Sequence, residues 1–87
     1  MELTLIIKNK AGLHARPAAL FAQKASAFKS TIVILKGGKA ANAKSIINIM
    51  GLGVKQGESI TVKIDGVDAH EAAQALKKIV SDNFGEE

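Results

Sequence analysis

Two stretches of the chain alternate apolar and polar residues with the two-residue period of a half-buried strand, Glu2–Lys8 and Ser59–Asp65. Between them, Thr31–Leu35 is rich in β-branched residues and predicts a further strand. The Gly37-Gly38 pair predicts a hairpin turn from this strand into a short strand around Lys39–Asn42. The pattern therefore predicts four strands.

Three other stretches carry helical signals. Apolar residues at three- and four-residue spacing predict a helix over about Pro17–Phe28, and Pro17 suits a first helical turn. The face of this helix toward the core is predicted to consist of Ala18, Phe21, Ala22, Ala25 and Phe28.

Ser45 is a preferred N-cap residue and predicts a short helix of about Ile46–Leu52, ended by Gly53. After a turn at Gly66, Asp68 can cap a last helix over about Ala69–Asn83. Its core face is predicted to consist of Ala69, Ala72, Ala73, Leu76, Ile79 and Val80.

The element order is then β-α-β-β-α-β-α. Strands with one apolar face pack most simply as a mostly antiparallel sheet with helices over that face. We therefore predict an α+β fold, an open-faced two-layer sandwich with a four-stranded sheet and three helices on one side. The length of 87 residues fits a single domain, 1–87.

Composition excludes several classes of function. Without cysteine, the chain has neither disulfides nor a thiol nucleophile, and two histidines alone are poor material for a metal site. We expect no metal and no cofactor. No signal peptide and no apolar run of roughly 18–20 residues is visible, so we expect a cytoplasmic protein that does not enter a membrane. We also expect a monomer.

The net charge of +4 raises the alternative of a small nucleic-acid-binding domain, which would bind DNA or RNA in a salt-sensitive way. Lysine and arginine are scattered along the chain, and three Phe are its only aromatic residues, so platforms for stacking bases are scarce. A basic surface also attracts acidic proteins. We favour an acidic protein partner over nucleic acid.

The segment Gly12–Pro17 carries the candidate chemistry. Gly12 allows an unusual turn after the first strand, and His14 then precedes the helix that Pro17 marks. A helix N-terminus presents unpaired N–H groups, here those of Ala15 and Arg16, and attracts anions. The Arg16 guanidinium adds a forked donor suited to phosphate oxygens. Both features disfavour imidazolium and stabilise a phosphorylated ring, so we predict that His14 accepts a phosphoryl group.

The segment Gly12-Leu13-His14-Ala15-Arg16-Pro17-Ala18-Ala19 resembles the active-site signature of the HPr family, the histidine-containing phosphocarriers of the bacterial phosphoenolpyruvate–sugar phosphotransferase system. A second block, Asn42–Gly53, is similar to the regulatory serine region of that family. Length and element order agree with the family over nearly the whole chain. Ala11 departs from the family pattern, because many members have Ser or Asn there, and the transfer rate or phosphohistidine lifetime is then expected to differ.

The resemblance implies a carrier and not a self-contained enzyme. Enzyme I would phosphorylate His14 on Nδ1, with Arg16 as the electrostatic partner, and sugar-specific IIA domains would receive the group. It also implies that an HPr kinase/phosphorylase could phosphorylate Ser45 and that a transcriptional regulator could then bind. A paralogue acting mainly as a regulator of carbon or nitrogen metabolism stays open as an alternative.

An apolar docking surface is predicted beside His14. Leu20 faces away from the core side of its helix on a helical wheel and is expected to be exposed. Ile46, Ile47 and Met50 flank Ser45 and are expected to join it. The resemblance implies that this surface meets enzyme I and the IIA domains.

Overall fold

The computed structural model describes residues 1–86, which form four strands and three helices. Along the chain these are β1 (Glu2–Ile6), α1 (Ala15–Ser26), β2 (Thr31–Lys36), β3 (Lys39–Asn42), α2 (Ile46–Met50), β4 (Ser59–Asp65) and α3 (Ala69–Ser81), followed by one turn of 3-10 helix at Asn83–Gly85. The predicted order β-α-β-β-α-β-α is confirmed. Glu87, the last residue of the predicted domain, lies outside the described residues.

The four strands form one sheet in the order β1-β4-β2-β3, and every neighbouring pair is antiparallel. Gly37 and Gly38 both have positive φ, 52° and 72°, as a two-residue hairpin between β2 and β3 requires. One face of the sheet is buried, and its buried side chains are Leu5, Ile32, Ile34, Ala41, Ile60, Val62 and Ile64. The predicted open-faced α+β sandwich is confirmed.

The helices cover that face with the residues that the helical period selects. Those buried on α1 are Ala18, Phe21, Ala22 and Ala25, and those on α3 are Ala72, Ala73, Leu76 and Val80. Ala69, Ile79 and Phe28 are only partly buried against the core. Of these, Phe28 lies beyond the end of α1.

Several element ends differ from the prediction by two residues. β1 stops at Ile6 instead of Lys8, although the Ile7 N–H still donates to the Glu58 carbonyl at 2.9 Å. α2 stops at Met50 instead of Leu52, because the Leu52 N–H bonds three residues back, to Ile49.

The last helix also ends early, at Ser81 instead of Asn83. Asn83 and Phe84 take left-handed backbone conformations, with φ of 52° and 55°, which an α-helix does not allow. The 3-10 turn that follows was not predicted. It buries the Phe84 ring against the core.

Asp68 stands at the N-cap of α3 as predicted, but its side chain does not cap that helix. Its carboxylate accepts hydrogen bonds from the Lys29 N–H at 2.8 Å, the Ser30 N–H at 2.9 Å and the Ser30 hydroxyl. The Ser30 hydroxyl, followed by the Lys29 N–H, holds the pKa of Asp68 below its ordinary value. The Asp68 carboxylate thus links the loop after α1 to the start of α3. Protonation of the carboxylate at low pH weakens these hydrogen bonds.

Within the described residues, no helix combines the length and the apolar composition needed to cross a membrane.

Candidate functional site at the start of the first helix

The loop from β1 to α1 is folded by a tight turn at Gly12. Gly12 has φ of 65°, and its N–H donates to the Asn9 carbonyl at 3.1 Å. The Asn9 side chain closes the same turn from the other direction, because its Nδ2 donates to the Gly12 carbonyl at 2.9 Å. The unusual backbone predicted at Gly12 is confirmed.

This turn rests directly on the segment between α2 and β4. The Leu13 N–H donates to the Val54 carbonyl at 3.0 Å, and the Leu13 side chain is buried. A Cβ atom on Gly12 would collide with the same Val54 carbonyl oxygen. Only glycine allows the two backbones to approach this closely, so Gly12 and Leu13 fix where the next residue begins. We call the contact of Gly12 and Leu13 with Val54 the backbone seat.

His14 follows the backbone seat and is the N-cap residue of α1. Its carbonyl accepts the first helical hydrogen bond, from the Ala18 N–H at 2.8 Å. Its side chain is exposed and makes no capping hydrogen bond. The backbone of His14 is therefore committed to the helix, while the imidazole is exposed and does not cap it.

The first turn of α1 is suited to binding an anion. The helix begins at Ala15, two residues before the predicted start, and Ala15 and Arg16 are both exposed. Their N–H groups have no acceptor within the helix, and Pro17, still in the first turn, has no N–H to satisfy. No acidic residue lies in this turn to neutralise the positive end of the helix dipole.

The part of the sequence that contains His14 carries charges of one sign. Between Leu3 and Gly57 the sequence contains eight lysines and Arg16 but no aspartate or glutamate. Apart from Glu2, all acidic residues follow in 58–87, together with only three lysines. The basic residues are scattered along the chain, but the acidic ones are segregated in sequence. Both sides of the backbone seat, α1 and α2 come from the basic segment, and Glu86 of the acidic segment contacts Asn9 in the loop before His14.

The short helix α2 exposes apolar side chains near the site. Ile47 is 80% exposed, Ile46 43% and Met50 42%. α2 packs against α1, and only four residues lead from Met50 to Val54 in the backbone seat, a span of at most about 14 Å. The structure therefore brings the predicted docking residues of α2 to the neighbourhood of His14. We call these three residues the α2 patch.

Ser45 begins α2 as its N-cap, and its hydroxyl accepts from the Asn48 N–H at 3.3 Å. The predicted cap is confirmed. Leu20, in contrast, is not exposed as predicted but partly buried, in the groove between α1 and α3 beside Ala75 and Ile79. A helical wheel measures position relative to one buried face, and α3 provides a second wall that the wheel does not include.

Asn9 is the site residue that the sequence analysis missed. It is 1% exposed and contacts the backbone that leads to His14. An isolated asparagine in a polar loop gives no signal of this role, because burial by a segment distant in sequence creates it. Within residues 1–86, no group of three or more His, Cys, Asp or Glu residues is placed to hold a metal ion.

Comparison with known proteins places the chain among phosphocarriers. The family described as "PTS HPr component phosphorylation site" matches residues 1–82. The phosphocarrier protein HPr of Mycoplasma capricolum is 46% identical over 93% of this chain and 91% of its own length. The HPr-like protein Crh of Halalkalibacterium halodurans is 49% identical over 87% of this chain and 90% of its own length.

Two solved structures of HPr are also similar to this chain. HPr-C-His from Thermoanaerobacter tengcongensis has a TM-score of 0.96 at 53% identity, over 100% of this chain and 98% of that one. A structure of HPr from the same organism, described as a dimer, has a TM-score of 0.80 at 52% identity, over 99% of both chains.

The backbone seat predicts that Gly12→Ala destabilises the protein by more than about 2 kcal/mol, since alanine at positive φ costs about 1–2 kcal/mol and the collision with Val54 adds to it. Gly53→Ala is the matched control, because Gly53 has the same φ of 65° with no atom within 4 Å of an added Cβ. Urea unfolding measures both. Equal losses in the two variants would show that backbone conformation alone, without the close approach to Val54, explains the glycine.

Proposed function

This chain belongs to the HPr family of the bacterial phosphotransferase system, and we propose that it carries a phosphoryl group on His14 from enzyme I to sugar-specific IIA domains. The observation that carries the proposal is the position of His14, whose ring is exposed and uncommitted at the N-terminus of α1. Members of the family are carriers and not catalysts. The partners supply the remainder of each active site.

The transfer uses the lone pair of the unprotonated Nδ1 of His14. As the new N–P bond forms, the bond between phosphorus and the donor nitrogen of enzyme I breaks, and the proton on Nε2 stays on the ring. In the onward transfer, a nucleophile of the IIA domain attacks the phosphorus in line, and the N–P bond to His14 breaks. Such a reaction needs positioning and charge stabilisation more than covalent chemistry from the carrier.

The charge on the phosphoryl oxygens would be stabilised by the first turn of α1. The Ala15 and Arg16 N–H groups supply backbone donors, and the Arg16 guanidinium supplies a fixed positive charge. The first turn of α1 would therefore stabilise the charged product of the transfer.

Removing the acceptor tests the function directly. After incubation with enzyme I and phosphoenolpyruvate, mass spectrometry should show one acid-labile phosphoryl group on the wild type and none on His14→Ala. His70→Ala is the control, because His70 is the other histidine and is exposed on α3. A phosphoryl group on His14→Ala would overturn the assignment.

The alternative, a protein that acts mainly as a regulator, is supported by the similarity to Crh, which is described in Bacillus subtilis as the catabolite repression HPr. A panel of IIA domains added to the phosphorylated protein separates the two functions. A carrier loses its phosphoryl group to at least one IIA domain. A regulator retains it or never acquires it.

Docking of the partners would use the α2 patch, and the exposed part of Leu20 would contribute from the groove between α1 and α3. Exposed apolar side chains such as those of the α2 patch are typical of a surface that a partner covers. The basic segment that contains them would attract an acidic partner surface. We further propose that the protein acts in the cytoplasm as a monomer, whose small docking surface is free for each partner in turn.

Ile47→Glu is expected to raise the KM of enzyme I for this protein about tenfold or more, since burying a carboxylate against an apolar partner surface costs free energy on binding. The Tm should stay within a few degrees of the wild type because Ile47 is 80% exposed. Val67→Glu is the matched control: Val67 is 90% exposed, in the turn between β4 and α3. An equal rise in KM for both variants would show a general effect of charge and remove Ile47 from the interface.

Ser45 would be the regulatory site. A phosphate at this N-cap is electrostatically tolerated by the helix start, so α2 can persist after modification. The added negative charge would lie next to the α2 patch, where an acidic phosphodonor has to approach. Phosphorylation would therefore weaken the encounter with enzyme I while leaving the fold in place.

Ser45→Asp is expected to lower kcat/KM for phosphorylation by enzyme I at least several-fold, chiefly through KM, because the carboxylate mimics part of the phosphate charge. Ser45→Ala is expected to lose about 1 kcal/mol of stability with its cap, and to keep the wild-type kinetics. Steady-state kinetics and urea unfolding measure the two effects. Matching kinetics of Ser45→Asp and Ser45→Ala would contradict regulation by charge.

A further inference from the structure

Asn9 and Ser30 are the buried polar side chains among the described residues, each 1% exposed. Ser30 has a structural partner in Asp68. Asn9 lies in the loop that ends at His14, and it contacts backbone rather than another element of the core. Resting on the proposed role of His14, we propose that Asn9 is a positioning residue for phosphoryl transfer and that Glu86 holds the Asn9 amide in the orientation required.

The Asn9 amide joins both ends of the turn that precedes His14. The side-chain Nδ2 of Asn9 donates to the backbone carbonyl of Gly12, and the backbone carbonyl of Asn9 accepts from the Gly12 N–H. Two hydrogen bonds in opposite directions leave the turn little freedom. On the far side, the Leu13 N–H is held by Val54. His14 therefore starts from a backbone that is fixed on two sides.

The second N–H of the Asn9 amide donates to Glu86 Oε1 at 3.0 Å, across 77 positions of the chain. This carboxylate decides which way the amide points. A flipped amide would put its oxygen against both the Gly12 carbonyl and the Glu86 carboxylate, and three acceptors would repel one another. The segment after α3 thereby sets the conformation of the loop that carries His14.

The arrangement has a cost in stability. Asn9 Oδ1 is buried and has no hydrogen-bond partner among the described residues. A buried acceptor without a partner costs free energy that an apolar side chain of similar shape would avoid. If the side chain served stability alone, an apolar residue would avoid this unpaired oxygen. The two N–H donors of the same amide, which hold the loop before His14, account for the presence of asparagine here.

Asn9→Asp removes both donors while keeping the size of the side chain. We expect kcat for phosphorylation by enzyme I to fall about tenfold or more, since misplacement of a reacting group by about 1 Å can cost 10²-fold. KM should change less than kcat, because the substitution leaves the three side chains of the α2 patch unaltered. The backbone amide NMR signals of Gly12, Leu13 and His14 should shift. Gln74→Glu, the same chemical change at an exposed position of α3, is the control and should match the wild type.

Glu86→Ala provides an independent arm if Asn9→Asp does not fold. Its substitution is expected to leave the Tm within a few degrees of the wild type, to lower kcat at least twofold and to shift the same three amide signals. Wild-type kcat in folded Asn9→Asp, or in Glu86→Ala when Asn9→Asp is unfolded, would overturn the positioning role. A wild type that enzyme I fails to phosphorylate would instead overturn the proposed function, and the positioning role with it.

Discussion

The backbone of Gly12 and Leu13 lies directly against the backbone of Val54, with a hydrogen bond and no intervening side chain. This contact determines much of what the site can do. Backbone atoms and the buried Asn9 and Leu13 side chains hold the loop, so the His14 imidazole is not needed for that purpose and is left exposed. A carrier needs such a residue, fixed at the main chain and accessible at the ring.

The sheet brings the two sides of this contact together. β1 and β4 are antiparallel neighbours, so the chain leaving β1 runs beside the chain entering β4. Beyond the regular ladder, Ile7 continues the pairing through bonds with Gly57 and Glu58, and the Gln56 side chain donates to the Lys8 carbonyl at 3.0 Å. The seat at Val54 is thus an extension of the sheet into its loops. The core that stabilises the sheet also stabilises the geometry of the site.

Local rules were sufficient to predict the features that depend on local sequence. Alternation located the strands, the Gly37-Gly38 pair located the hairpin, and Ser45 located the start of α2. Gly12 and Pro17 bracket His14 with a turn and a helix start, which singles it out as a candidate. These signals arise from backbone preferences of single residues, which need no knowledge of the remainder of the chain.

The features that escaped prediction depend on contacts between distant segments. Asp68 is a good N-cap residue, yet its carboxylate binds the loop at Lys29 and Ser30, nearly 40 positions away. Leu20 lies on the polar side of α1 on a helical wheel, but its side chain is partly buried in the groove between α1 and α3. Asn9 becomes a buried residue only once residues 12 and 86 have closed over it. Periodicity describes each element alone, whereas these side chains are defined by two elements at once.

The separation of charge along the chain bears on how such a carrier meets its partners. Seven of the eight acidic residues lie in 58–87, whereas the segment from Leu3 to Gly57, which contains His14, has none. Electrostatic attraction of this kind mainly raises the association rate and orients the encounter, and it is screened beyond about 8–10 Å at physiological salt. A docking surface as small as the α2 patch would add little to the lifetime of a complex. Fast oriented association combined with rapid release is what a protein needs if it is to exchange one group between several partners, and under the proposed function the two properties would arise from separate features of the chain.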